Sequence, residues 1–316
     1  MIRDYIVVGQ GLAGSILSYY LIQHNCSVLV YDDPSGSKSS LVAAGIFNPF
    51  TGRKLVKTWM ADQLFPFLKE FYKKLQSDIE TEVLHRIPMY RPFVSREEQN
   101  QWGARSHEEG YSHFIDSLIS PTQAYPQFIN PLGGMMLKNS GYVDIPRLIK
   151  GVSNFLSQRD SLRREKFEES KLEVYKDYVS YQGIKSRKLI FCDGPELRDS
   201  KFFGWLPLTP VKGEILNIKM DMPLEFIVNR GVFVLPIGDN VCKVGATFDH
   251  KDLSLSTTDQ AKQQLIKKLD NLVRIPYSVI SQFAGIRPAS SDRRPFIGLH
   301  PEFEPLGVFN GLGTKG

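Results

Sequence analysis

A β-rich run from Tyr5 to Val8 leads directly into Gly9-Gln10-Gly11-Leu12-Ala13-Gly14, and helical spacing follows from Ala13 to Gln23 through Ile16, Leu17, Tyr20 and Leu21. A second β run, Ser27 to Tyr31, then ends at Asp32. Few local patterns restrict a fold as tightly. A bare G-x-G-x-x-G arises by chance, but between a strand and a helix each glycine has a task. Gly9 makes the tight turn, Gly11 lets a pyrophosphate approach the backbone at the helix N-terminus, and Gly14 lets helix and strand close on each other. Asp32 stands where a carboxylate accepts from a ribose hydroxyl and disfavours a 2′-phosphate. The opening βαβ unit therefore predicts a dinucleotide site, and both FAD and NAD are compatible with it.

The rest of the chain bounds what surrounds that unit. Its 316 residues suit two domains, and 42% hydrophobic with 23% charged residues predicts packed interiors rather than disorder. The net charge of +5 is spread along the sequence, a weak argument for a polyanion partner. Its densest basic cluster, Arg163, Arg164 and Lys166, is followed by Glu165, Glu168 and Glu169 and reads as a solvated loop. Cys26, Cys192 and Cys242 lack paired spacing, so reduced thiols and a cytoplasmic location are expected. With MIRDYIVVG opening directly on a strand, no signal peptide is expected, and no apolar run approaches the ~20 residues of a membrane span.

Helical spacing recurs from Trp59 to Leu75, with Pro66 as a kink, and Ser95 with Glu98 fits a capping box opening a short helix through Trp102. Arg86 to Phe93 reads as extended, and the Pro-, Gly- and Asn-rich stretch to Ser140 as irregular connection or lid. Asp144 and Pro146 open a helix, and strands are expected at Leu172 to Tyr175, Tyr178 to Tyr181 and Lys188 to Cys192. After Pro210 the pattern changes to β runs, Gly213 to Ile218, Gly231 to Leu235 and Val241 to Thr247, which suit an antiparallel sheet. A helix capped near Thr257 runs to about Leu272.

The chain resembles the FAD-dependent D-amino-acid-oxidase superfamily, which includes glycine oxidases, sarcosine oxidases and the oxidase half of a bacterial tRNA wobble-uridine modification enzyme. The likeness is carried in order by the fingerprint, by Ser39 to Gly45 closed by Asn48-Pro49, by Gly141-Tyr142-Val143-Asp144 and by Phe191-Cys192-Asp193-Gly194. Pro210-Val211-Lys212-Gly213-Glu214, Pro236-Ile237-Gly238, Val244-Gly245-Ala246-Thr247, Gly285-Ile286-Arg287-Pro288 and Asn310 to Gly316 complete it. The resemblance implies an α/β fold (α+β overall) with a Rossmann-like FAD-binding domain made discontinuously from residues 1–61, 141–205 and 282–316. A substrate domain of 62–140 and 206–281, built on a largely antiparallel sheet, would cover the flavin. FAD would be held noncovalently by Gly9, Gly11, Leu12, Ala13, Gly14, Asp32, Ser39, Ser40, Ala44, Gly45, Gly194, Gly313, Thr314, Lys315 and Gly316. In sarcosine oxidases the tethering cysteine falls in the segment where this sequence has Gly285.

Two residues are singled out for chemistry. Arg287 carries a fork of donors suited to bidentate capture of a carboxylate, and the resemblance places it beside the flavin; the structural alternative pairs it with Asp292. Lys243 sits in a strand whose Cys242 and Val244 face the other way, and in sarcosine-oxidase-like proteins a lysine in this context promotes reoxidation of the flavin by oxygen; the alternative is a solvent-facing lysine. There is no Ser/His/Asp set and no metal-spaced cluster, so no metal is expected. The resemblance implies oxidation of a small amine or amino acid to an imine, with oxygen or another electron acceptor as the second substrate. Rival readings are an oxidase acting on a modified tRNA wobble uridine and a flavin-binding subunit without its own substrate. No membrane partner is expected, since no apolar run is long enough for a span, and a nucleic-acid partner is not expected because no basic stripe interleaved with aromatics is evident.

Overall fold

The computed structural model describes residues 2–36, 39–52 and 55–313. Strand β1 (Arg3–Val8), helix α1 (Leu12–Gln23) and strand β2 (Val28–Tyr31) form the expected βαβ unit, with the two strands parallel and paired from Tyr5–Val28 to Val8–Tyr31. Its sharp entry depends on two glycines. Gly9 has a φ of +91°, and a Cβ on Gly14 would lie 1.8 Å from the carbonyl oxygen of Gly9. Any side chain at Gly14 would thus push α1 off the turn.

The parallel sheet grows from this unit on both sides. Leu162–Arg163 adds parallel to β2, Ile184–Phe191 adds parallel to β1, and Leu306–Asn310 adds parallel to Ile184–Phe191. A meander of Leu172–Val174 and Val179–Tyr181 and the antiparallel strand Phe296–Leu299 complete eight strands. Of the basic cluster, Arg163 closes the third parallel strand instead of lying in a loop, while Arg164 and Lys166 are exposed beyond it as expected, the Arg164 guanidinium 3.7 Å from Asp32. Burial of Leu162 under the helix Ile145–Ser157 outweighs the charge of its neighbours. That helix opens as expected, with the Asp144 side chain accepting from the Arg147 amide at 3.1 Å and a proline in its first turn.

A second eight-stranded sheet runs in the order 277–287, 211–220, 241–245, 232–238, 227–230, 89–92, 134–137, 115–119. All of its pairs are antiparallel except Ile227–Arg230 with Met89–Pro92. Strand Tyr277–Arg287 belongs wholly to this sheet, so a domain boundary at 282 falls inside a strand. The stretch before Ser140 supplies two strands of the same sheet, Ile115–Ile119 and Gly134–Leu137, where irregular chain was expected. One face packs Leu216, Ile218, Val234 and Val244 against Leu265 and Leu269 of the helix Asp259–Asp270. The opposite face, through Gly213, Ile215, Phe233, Gly245 and Gly285, borders a cavity that also reaches the β1–α1 turn.

The helix Ala61–Asp78, of which only Ala61 and Leu75 are buried, carries Pro66 in its second turn, where the missing N–H forfeits the hydrogen bond it would otherwise make to the carbonyl four residues back. Ser95 caps the helix Arg96–Arg105 by accepting from the Glu98 amide, while the Glu98 carboxylate takes the amide of Val94. This is the capping box displaced by one residue. Thr258, one residue past the expected cap, accepts from the Ala261 amide at 3.2 Å. Cys26, Cys192 and Cys242 are all unpaired. Among the described residues no helix is long and apolar enough to cross a membrane, and no group of His, Cys, Asp and Glu could hold a metal ion.

Candidate active site

A cavity of about 1030 Å³ extends from the β1–α1 turn to the inner face of the second sheet. At its nucleotide end it is lined by Gly9, Gly11, Leu12, Ala13 and Asp32. The Asp32 carboxylate accepts from the Gln10 amide at 2.9 Å, which locks the acid to the glycine turn and aims it along the edge of β2. Ser40 Oγ accepts from the Leu12 amide at 3.1 Å, so the short helix Ser39–Val42 closes over the start of α1. Gly11 shows how the site is prepared for a phosphate: a Cβ there would meet only Ser40 Oγ, at 3.3 Å, and otherwise open space.

Ser39, Ser40, Ala44 and Gly45 form the next part of the wall, with Gly194 and Gly313 opposite. Asn310 ties the far strand in, donating to Asp193 Oδ1 at 3.1 Å and to the Gly194 carbonyl at 3.0 Å. Burial pushes the Asp193 carboxyl up to about 8. Gly14 does not line the cavity and acts through helix–strand packing, while Thr314, Lys315 and Gly316 lie outside the described residues.

The other end is built by the second sheet, whose Gly213, Ile215, Phe233, Gly245, Gly285 and Arg287 line the cavity. Pairing of Gly213 with Gly285 clears a shallow floor, and the Arg287 guanidinium lies across it. A Cβ on Gly213 would fall 1.9 Å from Arg287 Nη2. Arg287 Nη1 donates to the Thr247 carbonyl at 3.2 Å, and the guanidinium stands 4.7 Å from the centre of the Phe248 ring. Burial pulls its pKa down to about 10. Among the described residues no carboxylate lies within ion-pair distance of it. Asp292 instead accepts from the Arg294 amide at 3.0 Å.

Lys243 is on the same face of the sheet but does not line this cavity. It opens into a separate one of about 130 Å³, and the two share Ala44, Val143 and Ile145 as walls. Cys242 and Val244 point into the opposite core, as strand alternation requires. Burial lowers the Lys243 pKa, partly offset by the charge of Asp144.

Sequence reasoning missed the partners that make Arg287 a cradle: Gly213, Thr247 and Phe248. Gly213 and Thr247 stand in runs the sequence marks, but only strand register shows that they meet the guanidinium. Lys166 also lines the cavity, from the cluster read as solvated.

A parallel sheet with a glycine turn, an acid at the end of β2 and an antiparallel sheet roofing the cavity define a dinucleotide-dependent oxidoreductase of two interleaved layers. The profile of the FAD dependent oxidoreductase family (DAO) matches residues 4–316, and the chain belongs to that family and is a flavoenzyme. It is 25% identical over 334 residues to a glycine oxidase of Pseudomonas putida, covering 97% of this chain and 88% of that one. It is 20% identical over 327 residues to a tRNA 5-methylaminomethyl-2-thiouridine biosynthesis bifunctional protein of Campylobacter jejuni, covering 94% of this chain and 46% of that one. The chain thus spans less than half the length of these bifunctional relatives. Glycine oxidase from Geobacillus kaustophilus superposes with a TM-score of 0.78 at 19% identity, over 99% of this chain and 90% of that one. Iminodiacetate oxidase from Chelativorans sp. BNC1 superposes with a TM-score of 0.82 at 18% identity, over 98% and 90%.

The cavity suits FAD, with room at Gly11 for a pyrophosphate and Asp32 placed for a ribose. Noncovalent attachment is the expected outcome. Cys192 is the only cysteine on the cavity wall; it stands beside the Gly9 turn, and burial raises its thiol well above the ordinary value, away from a reactive thiolate. Acid precipitation should release the yellow colour into solution; colour retained in the washed pellet would show a covalent link.

Proposed function

We propose that this enzyme oxidises the C–N bond of a small amine or amino acid bearing a carboxylate. The substrate loses two electrons and two protons to give an imine, water hydrolyses the imine, and oxygen or another acceptor takes the electrons from the reduced cofactor. The observation that carries this reading is Arg287: a partly buried guanidinium, facing the cavity, with its charge unpaired by any described carboxylate. A charge so placed lacks compensation until an anion arrives. A substrate carboxylate would satisfy it in bidentate fashion and fix the adjoining carbon for oxidation. FAD, when bound, supplies the electron sink, so the protein's work is to orient the substrate and exclude water. Relatives named glycine oxidase and iminodiacetate oxidase act on substrates of this class.

The test is anaerobic addition of a panel of amino acids and N-alkylglycines, read by bleaching of the flavin absorbance. Reduction by carboxylate-bearing amines is expected. Failure across the panel would favour a flavin-binding subunit without its own substrate.

A second reading, oxidation of a carboxymethylaminomethyl group on tRNA, is favoured by one feature besides the relatives' names. Trp59, next to the cavity-lining Thr58, is 51% exposed, and the Arg294 guanidinium lies 5.5 Å from its ring. Salt-dependent tRNA binding would support it, and kinetics unchanged by tRNA would dismiss it. The three unpaired cysteines support a reducing compartment such as the cytoplasm for either reading.

Lys243 is proposed to assist reoxidation by oxygen across the wall it shares with the main cavity. Lys243→Met should slow that half-reaction at least about tenfold, ~1.4 kcal/mol in barrier, and leave anaerobic reduction nearly unchanged. Equal oxygen reactivity in stopped flow would make Lys243 a structural lysine.

A further inference from the structure

The Arg287 cradle adjoins a buried cation that the proposed chemistry does not use. Lys212 is 1% exposed, an unusual position for a lysine. Its Nζ donates to Asp252 Oδ2 and to the Ser256 carbonyl, each at 2.5 Å, reaches Ser254 Oγ at 3.4 Å, and stands 3.7 Å from Glu214 Oε1. Glu214 in turn accepts from the amide and hydroxyl of Thr258, each at 3.0 Å, and from Gln282 Nε2 at 2.6 Å. The backbone joins in: the Lys212 amide donates to the Asp249 carbonyl at 2.8 Å, and the Asp249 amide returns to Lys212 at 2.9 Å.

These bonds stitch the segment from Asp249 to Thr258 onto the strand Val211–Met220. Both sides of the guanidinium cradle adjoin the stitch. Gly213, the floor, follows Lys212 in the chain. Thr247 and Phe248, which hold Nη1 and face the guanidinium plane, precede Asp249. Thr247 is fixed further, its hydroxyl accepting from the Glu214 amide at 2.8 Å.

We propose that Lys212 is a positioning residue for carboxylate recognition. By clamping the Thr247–Ser256 segment against Gly213, it sets the direction of the Arg287 fork. This rests on the reading of Arg287 as the carboxylate ligand.

Lys212→Met keeps the stem and removes the charge, but it strands Asp252 and Glu214 and costs stability. Asp252→Asn is the complementary variant. Asp252 is 39% exposed, and its carboxyl is held down at about 2 chiefly by its hydrogen bond from Lys212. The variant weakens the clamp from outside while making the region more positive. Simple electrostatics would then strengthen anion binding, whereas loss of positioning weakens it.

The experiment uses the FAD-loaded full chain, with acetate and its neutral isostere acetamide titrated against the flavin absorbance. Asp252→Asn should weaken acetate by about tenfold and leave acetamide within about twofold. Asp252→Glu should restore acetate binding, and Lys212→Met, where folded, should act in the same direction. Parallel loss of both probes, or unchanged or stronger acetate binding in Asp252→Asn while Arg287→Lys loses it, overturns the proposal alone. Unchanged acetate binding in Arg287→Lys removes the carboxylate reading itself, and this inference with it.

Discussion

Gly11→Val is expected to yield a folded chain that no longer retains FAD. The backbone of Gly11 has φ −78° and ψ −158°, a negative-φ extended conformation that does not demand glycine, and the only protein atom near a new Cβ is Ser40 Oγ at 3.3 Å, a side-chain end that need yield only a few tenths of an ångström. The apo fold therefore tolerates the substitution. The added methyl groups fill the space over the N-terminus of α1 that a pyrophosphate needs. FAD affinity should fall at least about a hundredfold, ~2.7 kcal/mol. Circular dichroism and thermal melting of the apo forms should agree within a few degrees. Added FAD at about 100 times the parent's Kd should raise the parent's stability by ~2.7 kcal/mol and leave the variant's nearly unchanged. Gly14→Val is the control with the opposite signature. Its Cβ would lie 1.8 Å from a backbone oxygen, so it should unfold the βαβ unit rather than vacate it. Normal FAD occupancy in Gly11→Val would remove the fingerprint from the cofactor site.

The contrast between these two glycines shows which information is local. The βαβ unit was legible because its parts are contiguous: strand, turn, helix, strand and acid follow one another within a few turns of chain. The cap at Asp144 and the change of pattern after Pro210 were legible for the same reason. Strands Ile115–Ile119 and Gly134–Leu137 were not. The first exposes Asp116, Ser117 and Leu118 and so lacks alternation, and the second is buried throughout. Their strand character comes from pairing with each other and with Met89–Pro92. Arg163 misled in the same way, since its pairing with β2 depends on a strand far away in sequence.

The site divides along the same line. Residue type marked Arg287, but its cradle needs Gly213, Thr247 and Phe248 brought together by the register of three strands and the segment that follows one of them. For Lys243, alternation gave the face correctly and could not say which of two adjoining cavities that face borders.

Arg287→Lys is expected to weaken binding of a carboxylate substrate by ~1 to 3 kcal/mol, the range for a charge-assisted hydrogen bond, with FAD content unchanged. A lysine keeps one positive charge but presents it as a point, so bidentate capture of the carboxylate is lost. It also loses the planar face toward Phe248 and the in-plane donor to Thr247. The defect should depend on pH. Burial already pulls the arginine down to about 10, yet arginine stays charged throughout the neutral range. Desolvation at the same position acts on a lysine from a lower starting value, and a lowered lysine pKa means loss of the cation as pH rises. The residual carboxylate affinity of the variant should therefore decline on going alkaline well before that of the parent, while a neutral isostere such as the substrate amide shows no such slope. Anaerobic titrations of both ligands across pH, read by flavin absorbance, give the two curves. If the lysine variant instead loses FAD or melts early while its reconstituted form reduces normally, Arg287 is a structural cation and the carboxylate must be bound elsewhere in the cavity.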